Sequence, residues 1–196
     1  MVDVMDLNRR IGSLLFIGGL QFAILLMVAE TQFPEYSAAN NYISDLGLWS
    51  YRSAYIFNPS VFIFGLCGLA ANSIFCHKTT LRLQGALFII SSIGAMGVGI
   101  FNEMILVPHA VSALATFTFG GLATLSFCTR LRKPFSYIAA FLGASSLLAM
   151  ILLGSGNHLG LGPGGMERMI LYPVLMFVIG LGGYFLATDE SFCRKS

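Results

Sequence analysis

Apolar and polar positions along this chain come in blocks. Six apolar runs, Ile11–Ala29, Asn58–Cys76, Gly85–Phe101, Ala110–Cys128, Ser136–Leu153 and Met169–Ala187, alternate with short segments that gather nearly all the charged and amide side chains. Each run is about long enough to cross about 30 Å of hydrocarbon at about 1.5 Å of rise per residue. Single runs of that length cross lipid only as helices, because the backbone must satisfy its own hydrogen bonds there. The pattern therefore predicts an all-α, six-transmembrane-helix bundle, with residues 1–196 forming a single polytopic membrane domain.

Local signals refine the ends. Asn58-Pro59 predicts the start of the second helix, with Asn as N-cap and Pro in the first helical position. Pro108 opens the fourth helix in the same way, and Pro173 is expected to kink the sixth. Trp49, Tyr51 and Tyr55 read as interfacial anchors, apolar rings with a polar edge that stays wet. Ala95 with Gly99, and Gly180 with Gly182 and Gly183, read as small-residue faces for close helix packing. Arg9-Arg10 precedes the first run as in a signal peptide, but no small-x-small cleavage site and hydrophilic mature domain follow, so an uncleaved first helix is expected.

Composition supports the membrane reading. The chain has 56% hydrophobic and 10% charged residues, against roughly 25% charged in a soluble domain. A formal charge of +2 with no basic cluster among aromatics gives no reason to expect nucleic acid as a partner. The distribution of the cations says more. With alternating spans, Arg9, Arg10, Lys78, Arg82, Arg130, Arg132, Lys133, Arg194 and Lys195 share one side, and only Arg52 and Arg168 take the other. By the positive-inside rule both termini are expected in the cytoplasm of a cell with this protein in its plasma or inner membrane. Cys67 lies within a span, while Cys76, Cys128 and Cys193 lie near cytoplasmic ends, so no structural disulfide is expected outside.

The outer side then collects the reactive groups. The segment after the first helix, Asn40-Asn41-Tyr42-Ile43-Ser44-Asp45-Leu46-Gly47, faces Glu30, Glu35, Asn102, Glu103, His109, Asn157, His158, Glu167 and Arg168. His109, Ser112 and Thr116 share one helical face and carry polarity into the outer leaflet. Glu167-Arg168 opens the sixth span with Tyr172 one turn on, and Arg168 is expected to pair with Asp45 or Glu103.

Three chemistries fit these residue types. A metal site could draw on His109, His158, Glu103, Asp45 or Glu167, but no tight ligand spacing is present and no metal is assigned. A Ser44–His109–Asp nucleophilic arrangement lacks a nucleophile elbow. An acid–base pair from Asp45, Glu103 and His109 fits better, since partial burial moves such groups toward neutral pKa values. The glycine run from Gly154 to Gly165 is no phosphate loop, lacking the Gly-Lys-Ser/Thr ending.

Tyr42-Ile43-Ser44-Asp45-Leu46-Gly47, Asn58-Pro59, His109 with Ala113, and Gly165-Met-Glu167-Arg168-Met-Ile-Leu-Tyr172-Pro173 together resemble the prokaryotic membrane family called domain of unknown function 998, over nearly the whole chain. The resemblance implies the six-span fold and no activity. A more distant similarity is to the DRAM and GPI-lipid-remodelling superfamily, through the Ile-Ser-Asp-x-Gly segment and an early His in a later helix. That superfamily tends to carry Pro-Glu where this chain has Pro59-Ser60, and the similarity implies work on lipid at the outer leaflet.

The leading expectation is an outer-facing pocket for a lipid or other amphipathic ligand. Asp45 and Arg168 organise it by pairing, His109 faces the polar head, and Asn40, Asn41, Ser44, Ser112, Glu167 and Tyr172 complete the lining. The alternatives are a lipid hydrolase or acyltransferase using His109 with Asp45 or Glu103, and a secondary transporter. Membrane lipids are the expected partners. Self-association and any cofactor stay open.

Overall fold

The computed structural model describes the backbone of residues 4–78 and 81–188 and the side chains of residues 6–74 and 81–188. Cys193, Arg194, Lys195 and the side chains of Cys76, His77 and Lys78 lie outside the described residues. The helices are α1 (Val4–Thr31), α2 (Ala54–Lys78), α3 (Arg82–Ile100), α4 (Leu106–Ser126), α5 (Phe135–Gly154) and α6 (Gly162–Ala187). Two short 3₁₀ turns, Ser44–Gly47 and Phe127–Thr129, join them, and the described residues contain no strand. All six helices are long and apolar enough to cross a membrane.

Each helix packs antiparallel on its neighbours in sequence, and α6 returns against α1, closing a ring. Asn8 Nδ2 donates to Thr188 O at 3.2 Å, so both ends of the described chain meet at one end of the bundle. The long α1–α2 segment, the α3–α4 turn and the α5–α6 loop share the other end, hereafter the loop end. Half of the apolar stretch of α6 is buried, against 22% of that of α5, so α6 is the central stave and α5 the most peripheral.

Glycine sets the tightest crossings, where lipid supplies no hydrophobic drive and contact must come from close packing. A Cβ on Gly182 of α6 would lie 2.5 Å from Phe16 N and 2.9 Å from Gly12 O of α1. One on Gly143 of α5 would lie 2.4 Å from Leu125 N of α4, and one on Gly99 of α3 2.7 Å from Asn58 O of α2. Gly180 meets the ring of Phe135, whereas nothing approaches Gly183. Hydroxyls and amides add interhelical bonds: Gln21 Nε2 to Ser60 O (2.9 Å), Ser91 Oγ to Thr116 O (2.8 Å) and Ser146 Oγ to Ile170 O (2.7 Å). Away from the loop end, the rings of Phe88, Phe127, Phe135 and Phe177 fill the centre at centroid distances of 5.5–6.4 Å.

All six helices start before the apolar runs read from the sequence, and two of these starts bear on the site. α2 begins at Ala54, because Ile56 N and Phe57 N donate to Ser53 O and bury Ala54 and Phe57. Pro59 thus lies inside the helix, and Asn58 is not its cap. Asn58 Nδ2 instead donates to Gly47 O at 3.0 Å and clasps the 3₁₀ turn to α2. α6 begins at Gly162, with Pro163 in its first turn, so Glu167 and Arg168 lie one turn inside the helix and do not open it. Its early start has a tertiary cause: Gly164 N donates to Ala39 O at 2.9 Å, so the α1–α2 segment supplies an acceptor that the helix start lacks. Pro108 falls in the first turn of α4, and Pro173 lies inside α6, as read.

Candidate functional site

The α1–α2 segment folds back over the N-terminus of α6. A turn at 37–41 forms as Ser37 N donates to Asn41 Oδ1 (3.0 Å) and Asn41 N to Ser37 O (2.8 Å). Its carbonyls lie against two glycines: a Cβ on Gly164 would sit 1.9 Å from Asn41 O, and one on Gly162 2.3 Å from Ala39 O. Only glycine admits the segment at this distance, and Gly162 also has a φ of 77°.

Arg168 locks this arrangement. Its Nη1 donates to Ala38 O (2.8 Å), Gly164 O (3.0 Å) and, at 3.4 Å, Asn41 O. Its Nη2 donates to Glu30 Oε1 and Tyr36 Oη, both at 2.6 Å, and the guanidinium lies 5.4 Å from the Tyr36 ring centroid. Burial pushes the Tyr36 phenol up to about 12, although Arg168 pulls the other way. The expected Asp45–Arg168 pair is not made, because Glu30 at the end of α1 takes the guanidinium first. Asp45 Oδ2 instead accepts from Asn41 Nδ2 (3.1 Å) and Tyr42 N (3.0 Å), holding the 3₁₀ turn. Tyr172 lies beside Arg168 and so belongs with this clamp.

A second cluster lies beside it. Asn102 Oδ1 accepts from Met104 N at 3.1 Å, and the turn it shapes presents Glu103. Glu103 Oε1 accepts from Ser44 Oγ and lies 3.9 Å from His109 Nε2. His109 is 7% exposed, with Nδ1 2.7 Å from Phe101 O. A carbonyl only accepts, so Nδ1 carries a proton and caps the end of α3, leaving Nε2 toward Glu103. Glu167, 6% exposed, accepts from Ile43 N through Oε2. Burial lifts the Glu103 carboxyl above the ordinary range; neighbouring Asp45 adds to this, while Ser44 and His109 oppose it.

The order Ser44–Glu103–His109 puts the carboxylate between hydroxyl and imidazole. A nucleophilic serine needs the imidazole next to it, so this is not the order of a Ser-His-Asp triad. Among the described residues, no group of three His, Cys, Asp or Glu side chains is disposed to hold a metal. Asn40 is exposed on the 37–41 turn. Ser112 Oγ donates to Pro108 O at 2.7 Å and its side chain sits against Gly97 of α3. His158 O accepts from Leu161 N, and Asn157 Oδ1 from Leu159 N, within their own loop.

Below the second cluster a narrow crevice enters the ring. Its upper chamber, about 30 Å³, is lined by Ser44, His109 and Glu167 above and by Phe22, Phe57, Val61 and Ala113 below. A lower chamber of about 40 Å³ lies among Leu14, Asn72, Phe88, Ser91 and Val178. The two are adjacent, and both are lined by Phe64, Ala95, Thr116, Phe117 and Leu171, hereafter the neck. The sequence reading missed Glu30 and Tyr36 as partners of Arg168, and Asn72 as a lining residue. Glu30 carried a signal, an acid at the helix end on Arg168's side, whereas Tyr36 and Asn72 carried none.

No curated protein and no solved structure matched the chain in the comparisons made. The family model described as protein of unknown function (DUF998) matches residues 16–184. With six helices able to span a membrane and that match, the chain is an integral membrane protein belonging to the DUF998 family.

Proposed function

We propose that this protein binds an amphipathic ligand in the central crevice, entering from the loop end. The ligand's polar part rests on Ser44, Glu103, His109 and Glu167, and its chain lies in the neck between Phe64, Phe117 and Leu171. The observation that carries this reading is that buried ionisable groups line the same chamber as apolar side chains, with a second apolar chamber directly beside it. Binding sites are mostly apolar cavities with a few convergent polar groups, which this crevice matches in kind. Its narrow volume favours a linear chain over a ring system.

Arg9, Arg10, Arg82, Arg130, Arg132 and Lys133 lie away from the loop end, and Arg52 and Arg168 lie at it. That distribution supports an outward-facing loop end and cytoplasmic termini in a cell membrane. Native mass spectrometry of protein extracted in mild detergent tests the ligand site. The wild type should retain an amphiphile that Ala95→Phe and Ala113→Leu, which narrow the neck and the upper chamber, lose while keeping the helical spectrum of the wild type. Equal retention by both folded variants would contradict it.

A second reading, acid–base catalysis on a lipid ester, draws on the tethered His109 and its Glu103 neighbour. Hydrolysis or acyl transfer by purified protein, abolished in His109→Gln, would favour it over binding alone.

A further inference from the structure

The crevice offers acceptors almost throughout. Ser44 Oγ donates to Glu103, Thr116 Oγ1 to Ser112 O (2.8 Å) and Ser91 Oγ to Thr116 O (2.8 Å). These hydroxyls turn lone pairs, not protons, toward the cavity. Asn72 in the lower chamber gives Nδ2 to Gly68 O at 2.7 Å. Its Oδ1 is buried with no hydrogen-bond partner, in a residue only 1% exposed. Buried amide oxygens without partners are rare, and each needs a donor from solvent or ligand. Ser92 also lines the lower chamber, close against Gly68 of α2.

Charge points the same way. Asp45, Glu103 and Glu167 interact with one another across the mouth, with His109 beside Glu103 and Arg168 beside Glu167. Arg168 acts on Glu167 from the neighbouring clamp, but Glu30 offsets part of its charge. Both its terminal nitrogens are already hydrogen-bonded, so they have no free donor to turn to a ligand. His109 Nε2 faces Glu103 Oε1 at 3.9 Å and so is turned to a carboxylate already in the site. An anionic head placed here would meet carboxylates with few donors to hold it. A cationic head would supply both countercharge and protons for hydrogen bonds.

Resting on the crevice-binding reading above, we propose that the ligand's polar group is a protonated amine or similar donor-rich cation, and that phosphate and carboxylate heads are refused. Protons compete with such a head for Glu103, whose carboxyl is lifted by burial and by Asp45, with His109 and Ser44 opposing. Binding therefore weakens as the pH falls.

Dodecylamine, dodecanol and dodecyl phosphate, matched in chain length, test the head group by adduct occupancy in native mass spectrometry. Ala95→Phe protein corrects for nonspecific partition. The wild type should prefer the amine over both others by about tenfold or more, the value of one charge-assisted hydrogen bond. Glu103→Gln and Glu167→Gln, which keep the oxygens that accept from Ser44 and Ile43, should remove most of that preference. Equal or better retention of dodecyl phosphate, still blocked by Ala95→Phe, would overturn the cation assignment and leave the crevice as a binding site. Occupancy by all three probes unaffected by Ala95→Phe, or by none, would overturn the binding reading and the head-group assignment with it.

Discussion

Arg168 shows how one buried charge can fix a loop. Its donors reach three carbonyls, one carboxylate and one phenol across α1, the α1–α2 segment and α6. Removing one partner of a buried ion pair strands the other, at a cost of about 3–5 kcal/mol. Arg168→Ala should therefore lower stability by that order in detergent unfolding. Arg168→Lys should recover only part, because a point charge cannot serve carbonyls and carboxylate together. Double-mutant cycles with Glu30→Gln should show coupling well above that of a surface pair. Tyr36 adds a pH signature. Its phenol ionises near 10 when unfolded and at about 12 when folded. The stability this provides is complete below pH 10 and lost as pH rises from 10 to 12, and Tyr36→Phe should flatten that alkaline decline. Glu103 behaves similarly in the acid range. Its folded pKa is raised by burial, so the wild type loses stability as pH climbs out of the ordinary carboxylate range. Glu103→Gln should be free of that loss, and pH-resolved thermal unfolding checks it.

At the level of elements, the crossings depend on missing side chains. Gly182→Val should separate α1 from α6 and destabilise strongly, since its Cβ would meet the α1 backbone at 2.5 Å. Gly183→Ala, in open space on the same helix, should be neutral or gain up to about 1 kcal/mol. Thermal unfolding of the pair separates packing from propensity. The contrast also marks what the sequence could tell. Six apolar blocks announced six helices, because length and hydropathy in lipid leave few alternatives. Helix starts were less legible: Asn58-Pro59 has the form of a cap, yet Ser53 and the buried Ala54 start α2 earlier. The convergence of Ser44, Glu103, His109 and Glu167 followed from topology alone. Partner choice did not, because several acids share Arg168's end, and only the fold of the 37–41 turn brings Glu30 and Tyr36 to it. Asn72 was hidden for a different reason: an amide in an apolar helix reads as packing until its oxygen is found without a donor.

The whole molecule is a closed ring with distinct ends, one basic and one carrying buried acids, imidazole and amides above a slot. If the loop end faces outward, a cysteine at Asn40 should react with an impermeant maleimide on intact cells and one at Arg132 only after permeabilisation, with all four native cysteines (Cys67, Cys76, Cys128 and Cys193) replaced. Both reacting from the same side would contradict the proposed topology. The crevice itself is tested most directly by a dodecylamine derivative carrying a photoactivatable group at the chain end, crosslinked to the folded protein and mapped by peptide mass spectrometry. Labels should fall on Phe64, Phe117 and Leu171, inside the ring. Labels confined to Ile17, Phe141 and Ile151 on the outer surface of the bundle would contradict it.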